Sequence, residues 1–136
     1  MAILGFGKKK DTRPVDVGLA SLGGKSENEL IEWWKQRLEL IAQVPSDIAR
    51  VGALTPQLRE LSRIESHEER KRLTKARLIA FAQLPNDKRQ IITEARNKAW
   101  DVDRGVLEAD QKLVDELMPQ MDASVRSAYP QSAPRP

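Results

Sequence analysis

The sequence predicts an all-α protein, a small helical bundle built from two helix–turn–helix repeats of ~40 residues and one long C-terminal helix. The first observation is a repeated phrase: RLELIAQVPSD begins at Arg37 and RLIAFAQLPND begins at Arg77, with six of eleven positions identical. The second is a composition of 40% hydrophobic and 32% charged residues, which is typical of a charge-rich helical protein. Seven glycines and few strand-forming runs argue against a sheet.

Residues 1–25 are expected to form a flexible segment that begins with a docking peptide. Three apolar residues precede three lysines in this peptide: Ile3, Leu4, Phe6, Lys8, Lys9 and Lys10. Such a peptide can insert into a groove on a partner protein, or it can contact an anionic membrane surface weakly and reversibly. A terminus without any role is the competing interpretation.

The helical domain is expected to span residues 26–118, with repeat units that start at Ser26 and Ser66. Each serine is followed three residues later by glutamate, the pattern of a capping box at a helix start. Each first helix is expected to stop before proline, at Pro45 and at Pro85, because proline disfavours helix in the residue before it. The two units therefore predict two similar helical hairpins.

Between the units, the sequence predicts two shorter helices. One begins near Ser46 and is expected to end at Gly52, since glycine is common just after a helix. The other is expected to begin at Thr55 and Pro56, a helix cap followed by proline at the first helical position, and to end before Ser66.

After the second unit, apolar residues recur at alternating steps of three and four, which is a heptad seam. The seam contains Ile92, Ala95, Ala99, Val102, Val106, Ala109 and Leu113. It predicts one helix over about 87–118, with a break near Gly105 and a cap at Asp103 as the alternative. The seam also permits homodimerisation. Residues 119–136 are rich in proline and are expected to form a disordered tail.

Two tryptophans are candidate anchors for a partner. Trp33 is adjacent to another tryptophan, and two consecutive helical residues point about 100° apart, so both face the core only if the helix is covered on two sides. Trp100 lies beside the heptad seam. Tryptophan is enriched in protein interfaces, and burial in the core is the competing assignment for both residues.

A basic stretch over residues 66–77 raises the alternative of a nucleic-acid-binding helix. Glu68 and Glu69 lie at helical pairing distance from the basic residues that follow, so a solvated face with internal ion pairs explains the same stretch. The basic residues are not interleaved with aromatic ones, which argues against binding of single strands.

The residues that carry most enzyme chemistry are scarce in this chain. It has no cysteine, one histidine (His67) and no glycine-rich phosphate loop. We therefore expect no catalytic residues, no cofactor and no metal site. The sequence favours an accessory, adaptor or assembly subunit that binds a protein partner. We expect it in the cytoplasm, or peripherally on the cytoplasmic face of a membrane through residues 1–10.

Overall fold

The computed structural model describes residues 19–129, and this range contains six α-helices and no strand. The prediction of an all-α protein is confirmed. The helices are α1 (Glu27–Gln43), α2 (Asp47–Arg63), α3 (His67–Ala82), α4 (Asn86–Ala99), α5 (Arg104–Leu117) and α6 (Ala123–Ala128). A 3-10 turn, Leu19–Leu22, precedes α1, and a second, Met118–Gln120, joins α5 to α6.

Helices α1 and α3 begin at the two serines that the sequence indicates. The hydroxyl of Ser26 accepts from the backbone N–H of Glu29 over 3.2 Å, and the Glu29 carboxylate accepts from the Ser26 N–H over 2.8 Å. These bonds, the backbone one foremost, lower the pKa of Glu29. Ser66 accepts from the N–H of Glu69 over 3.1 Å. The Glu69 carboxylate accepts from Arg72 rather than from the backbone N–H of Ser66. Only one of the two bonds of a capping box is therefore formed at the start of α3.

Helix α2 is continuous, so the predicted break at Gly52 and restart at Thr55 are wrong. The Thr55 hydroxyl is buried and donates to the carbonyl of Val51 over 2.7 Å, which is a bond within a helix rather than a cap. Pro56 costs about 3 kcal/mol in a helix interior. Burial of the leucines two residues before and after it stabilises the helix by about 1.5–3 kcal/mol each and offsets that cost.

The single helix predicted over 87–118 is also wrong, because the chain turns at residues 100–103. Asp103 caps the new helix by accepting from the N–H of Val106 over 3.3 Å. The same carboxylate accepts from Arg59 of α2 over 3.0 Å, which joins the turn to a neighbouring helix. The structure therefore agrees with the alternative prediction, in which the helix breaks and a cap at Asp103 starts a new one.

The expected disorder of the tail from residue 119 does not hold over 119–129. Helix α6 lies in this range, and Met121, Val125 and Tyr129 are buried. The Tyr129 ring packs edge-on against Phe81, with 5.5 Å between ring centroids. The tail is ordered this far because it covers apolar surface of α3.

The expected flexibility of the first segment does not hold over residues 19–25. Leu19 and Leu22 are buried, and Arg72 of α3 donates to the carbonyl of Leu22 over 3.3 Å. The same guanidinium bonds the carbonyls of Gly23 and Lys25 at 3.1 and 2.9 Å. Arg72 therefore joins residues 22–25, which lead into α1, to helix α3.

Helix α1 packs against α3, and α2 packs against α4. Helix α3 also contacts α2, α5 and α6, and α2 also contacts α1 and α5, so α2 and α3 share the largest number of helix neighbours in the described chain. The largest fully buried side chains come from the first 3-10 turn and from α1, α2, α3 and α5, together with Leu84 in the turn after α3. They include Leu19, Leu22, Leu30, Trp34, Leu38, Leu58, Leu73, Leu78, Leu84, Leu107 and Val114.

An arginine closes four of the junctions between helices. In each, a guanidinium from the helix that follows the loop donates to a carbonyl five or six residues earlier, which lies one or two residues after the preceding helix or 3-10 turn ends. We call these four residues the loop-closing arginines. The bonds are Arg50 to Val44 (2.6 Å), Arg89 to Leu84 (2.6 Å), Arg70 to Ile64, and Arg126 to Met121. Each bond gives a donor to a carbonyl of the loop, just beyond the point where the helical hydrogen bonds end.

Candidate interaction surface

The first turns of α2, the end of α4 and the turn after α4 line an open apolar groove of about 700 Å³. We call it the Ile48 groove. Its residues are Ser46, Asp47, Ile48, Val51, Gly52, Lys98 and Val102. The side chain of Ile48 is 86% exposed and that of Val102 is 63% exposed. A single exposed apolar side chain is ordinary on a protein surface, but two beside one groove are typical of an interaction site.

Gly52 lies in the middle of a helix and lines this groove. Glycine in a helix interior costs about 0.5–1 kcal/mol relative to alanine. Packing within the described chain does not require it, because a Cβ built at Gly52 would have no atom within 4 Å, the ring of Pro56 included. The missing side chain therefore keeps the groove open at the cost of helix stability.

The rim of the groove carries one charge of each sign. Asp47 and Lys98 are both half-exposed and form an ion pair, and Arg50 bonds the second oxygen of the same carboxylate. Hydrogen bonds from Lys98 and then Arg50 lower the pKa of Asp47. The carboxylate is consequently ionised at neutral pH, next to the apolar side chains.

The two tryptophans predicted as anchors lie in different surroundings. Trp33 is half-buried, with the Arg37 guanidinium 4.5 Å from its ring centroid and the Trp34 ring 5.0 Å away, edge-on. Trp100 is 3% exposed and belongs to the core, with Arg104 5.8 Å from its ring. The assignment of Trp100 to a partner surface therefore does not fit its burial. Neither residue lines the Ile48 groove.

The predicted docking peptide lies outside the described residues. It comprises Ile3, Leu4, Phe6, Lys8, Lys9 and Lys10.

The basic stretch over 66–77 forms the first turns of α3, and much of its charge is paired. Arg72 bonds Glu69 and three backbone carbonyls, and Lys71 lies 3.8 Å from Glu68. Arg77 is buried. These contacts agree with the second interpretation of this stretch, in which its basic residues form ion pairs within the chain.

Three charged side chains meet in the interior. Asp110 of α5 accepts from Arg77 of α3 and Arg96 of α4, with Nη2–Oδ2 distances of 3.0 and 2.9 Å. Burial alone would raise the pKa of Asp110, but the two guanidinium groups outweigh it and hold the pKa below its ordinary value. Asp110 therefore has no proton to donate at neutral pH, and the cluster joins three helices.

A small cavity of about 30 Å³ lies beside this cluster, with Arg77, Arg96 and Tyr129 among its walls. The Tyr129 hydroxyl and the Nε and Nη1 atoms of Arg96 are buried without a hydrogen-bond partner among residues 19–129. Burial raises the pKa of Tyr129. The space has room for roughly two water molecules, which is the ordinary way to satisfy such atoms.

A second groove, of about 430 Å³, runs between α2, α3 and α5. Its charged residues largely have partners of their own: His67 Nε2 lies 3.1 Å from Glu116 Oε2, and Arg70 bonds the carbonyl of Ile64. Across residues 19–129, no group of three His, Cys, Asp or Glu side chains is arranged to hold a metal ion. Of the helices in that range, none has the length and apolar character to cross a membrane.

The Ile48 groove was not predicted from the sequence. Ile48 continues the three- and four-residue spacing of Val51, Leu54 and Leu58, so the pattern assigns it to the core. The signal that was present is the glycine one turn after an apolar residue, inside a helix.

Comparison of the chain with protein-family models, curated proteins and solved structures gave no match.

Proposed function

We propose that this chain is a non-catalytic helical interaction protein, an accessory, adaptor or assembly subunit of a larger protein complex, and that the Ile48 groove is its contact surface. One observation carries the proposal. Two exposed apolar side chains, Ile48 and Val102, stand beside Gly52, whose lack of a side chain has no explanation in packing within the described chain. A partner that approaches closely explains all three residues.

The hairpins supply the rigid body that such a surface needs. In this proposal α1–α2 and α3–α4 act as two copies of one unit, stacked so that α1 lies on α3 and α2 on α4. The loop-closing arginines at Arg50 and Arg89 hold the turn within each unit. Helical repeats suit recognition because stacked pairs create extended surfaces. Residues 1–10 would act as a tether, to the partner or to an anionic membrane surface.

The pairing of the basic residues favours this function over nucleic-acid binding. Lysines and arginines that contact phosphate must be free to leave their internal partners. Arg72 has four partners within the chain, and Arg77 would have to leave a buried carboxylate. The Ile48 groove requires no such rearrangement because its apolar side chains already lie exposed.

The experiment is purification of the tagged full chain from its native cell, followed by identification of the bound protein and reconstitution of the pair from pure components. The variant Ile48→Asp introduces a charge into the groove and should reduce binding at least about tenfold, which corresponds to about 1.4 kcal/mol. The matched control is Leu40→Asp, because Leu40 is 43% exposed on α1 and lies outside the groove.

Equal binding by the wild type and Ile48→Asp would exclude the groove as the contact surface. Binding of DNA or RNA that weakens steeply with salt and depends on residues 66–77 would replace the proposal with the nucleic-acid alternative. Circular dichroism of each variant verifies that the helices are intact.

A further inference from the structure

We infer that the Ile48 groove binds a second copy of this chain, through antiparallel packing of the two α2 helices about a twofold axis. The inference rests on the proposed function and names the occupant of its contact surface. It comes from a relationship within one helix: Ile48 protrudes from α2, and Gly52 leaves a gap one turn later on the same face.

The spacing of these two residues makes the surface complementary to itself. Residues four apart lie on the same side of a helix, with about 6 Å between them along the axis. A twofold axis that runs between two antiparallel α2 helices, at the level midway between these two residues, places each residue opposite the other one in the second copy. Ile48 of each copy then packs over Gly52 of the other copy, where no side chain obstructs it. Such an interface, with the same patch on both chains, is the commonest symmetry among oligomers.

The charges on the rim favour the same occupant. The rim carries Asp47 and Lys98, one charge of each sign. Because Asp47 and Lys98 pair within each copy, neither copy has to bring an unpaired rim charge to the contact. The basic N-terminal peptide is a poorer occupant, because its lysines Lys8, Lys9 and Lys10 would compete for a carboxylate that Lys98 and Arg50 already bond.

The small size of the groove sets the strength of this association. A stable protein–protein interface buries about 800 Å² on each partner. The groove offers two strongly exposed apolar side chains, Ile48 and Val102, and the remaining contacts come from the polar rim. We therefore expect a weak dimer that exchanges with monomer and becomes populated between micromolar and millimolar concentrations of the chain.

The test is the dimer dissociation constant of the full-length chain, measured by sedimentation equilibrium. Gly52→Leu fills the gap, and Ile48→Ala removes the protruding side chain. Each substitution occurs twice in the dimer. At about tenfold per contact, each should weaken dimerisation by about a hundredfold. Both variants should fold, since the space at Gly52 is open and leucine and alanine favour helix.

The double variant Ile48→Ala/Gly52→Leu distinguishes the proposed contact from general disruption. It exchanges the positions of the large and small side chains, and a twofold interface should accept the exchange. We expect dimerisation to recover to within about threefold of the wild type, a difference under 1 kcal/mol. Leu40→Asp, outside the groove, should leave the dissociation constant unchanged.

Three outcomes would overturn the inference. The wild type could remain monomeric at millimolar concentration, the dimer could be insensitive to both single variants, or the double variant could fail to recover. A monomeric wild type that loses a purified partner upon Ile48→Asp would retain the proposed function and give the groove a different occupant. If substitutions in the groove changed neither self-association nor the binding of a partner, both this inference and the proposed function would be wrong.

Discussion

Arg77 and Asp110 form an ion pair inside the protein, with 2.9 Å between Nη1 of the arginine and Oδ1 of the aspartate. Arg96 binds the other oxygen of the same carboxylate at 2.9 Å. Helices α3, α4 and α5 thereby meet at Asp110. This residue is 33 positions from Arg77 and 14 positions from Arg96 in the sequence. Pairing of this kind fixes which helices lie together, because each charge is tolerated in the interior only beside its partner.

Asp110→Asn should therefore destabilise the fold severely. The substitution leaves two buried guanidinium groups without their counter-ion, and breaking one partner of a buried ion pair costs about 3–5 kcal/mol. Urea unfolding followed by circular dichroism measures the loss. Asp101→Asn is the matched control, because Asp101 is exposed and should show a change near zero. Equal stability of the two variants would mean that the cluster contributes little.

The same carboxylate predicts loss of stability in acid. Its pKa in the folded chain lies below the ordinary value of 3.8, so ionised Asp110 stabilises the fold above that pH, and this contribution is lost as the pH falls through the folded pKa. The free energy of unfolding should decrease as the pH is lowered from about 5. Asp110→Asn, if helical at neutral pH, should have a shallower decrease. An unchanged slope would assign the acid sensitivity to other carboxylates.

Removal of a loop-closing arginine should weaken the junction that it closes. Arg89→Ala deletes the donor to the carbonyl of Leu84 and a second bond to the Asn86 side chain. A hydrogen bond that involves a charged group contributes about 1.5–3 kcal/mol, and the unfolding free energy should fall by about that amount. Gln90→Ala, at the adjacent exposed position, removes a side chain of similar length as the control. Equal losses in the two variants would count against the junction bond.

Gly105→Ala should stabilise the protein. Gly105 is the second residue of α5, exposed, and a Cβ there would have no atom within 4 Å. Replacement of glycine where the backbone is compatible gains about 0.4–1 kcal/mol, chiefly by restricting the unfolded chain. Thermal unfolding should show a higher midpoint. A lower midpoint would indicate that the glycine serves some contact beyond the described chain.

The helix starts could be predicted because they depend on neighbours in the sequence. Ser26 and Ser66 each accept from the backbone three residues later, an interaction that needs no tertiary structure. The half-formed second box shows where this reasoning ends. The Glu69 carboxylate bonds Arg72 instead of the cap. Arg72 in turn bonds the carbonyl of Gly23, just before α1 and about fifty residues away in the sequence.

The helix break after α4 shows the same limit. The heptad spacing continues through residues 100–103, yet Val102 is exposed and the chain turns. The decisive interactions are the cap at Asp103 and its bond to Arg59, which is 44 residues distant. Spacing records which residues are apolar, but not whether a neighbouring helix is present to cover them. For that reason Ile48, which fits the apolar stripe of α2, could not be recognised as exposed.

The loop-closing arginines restrict how the chain can change in length. Loops between helices usually accept added or deleted residues with little loss. Here each guanidinium must reach a carbonyl five or six positions earlier, and one extra residue in the turn would carry the donor beyond its acceptor. Insertions should therefore be accepted at the turn over residues 100–103, which has no such bond in the described chain, more readily than at the four closed junctions.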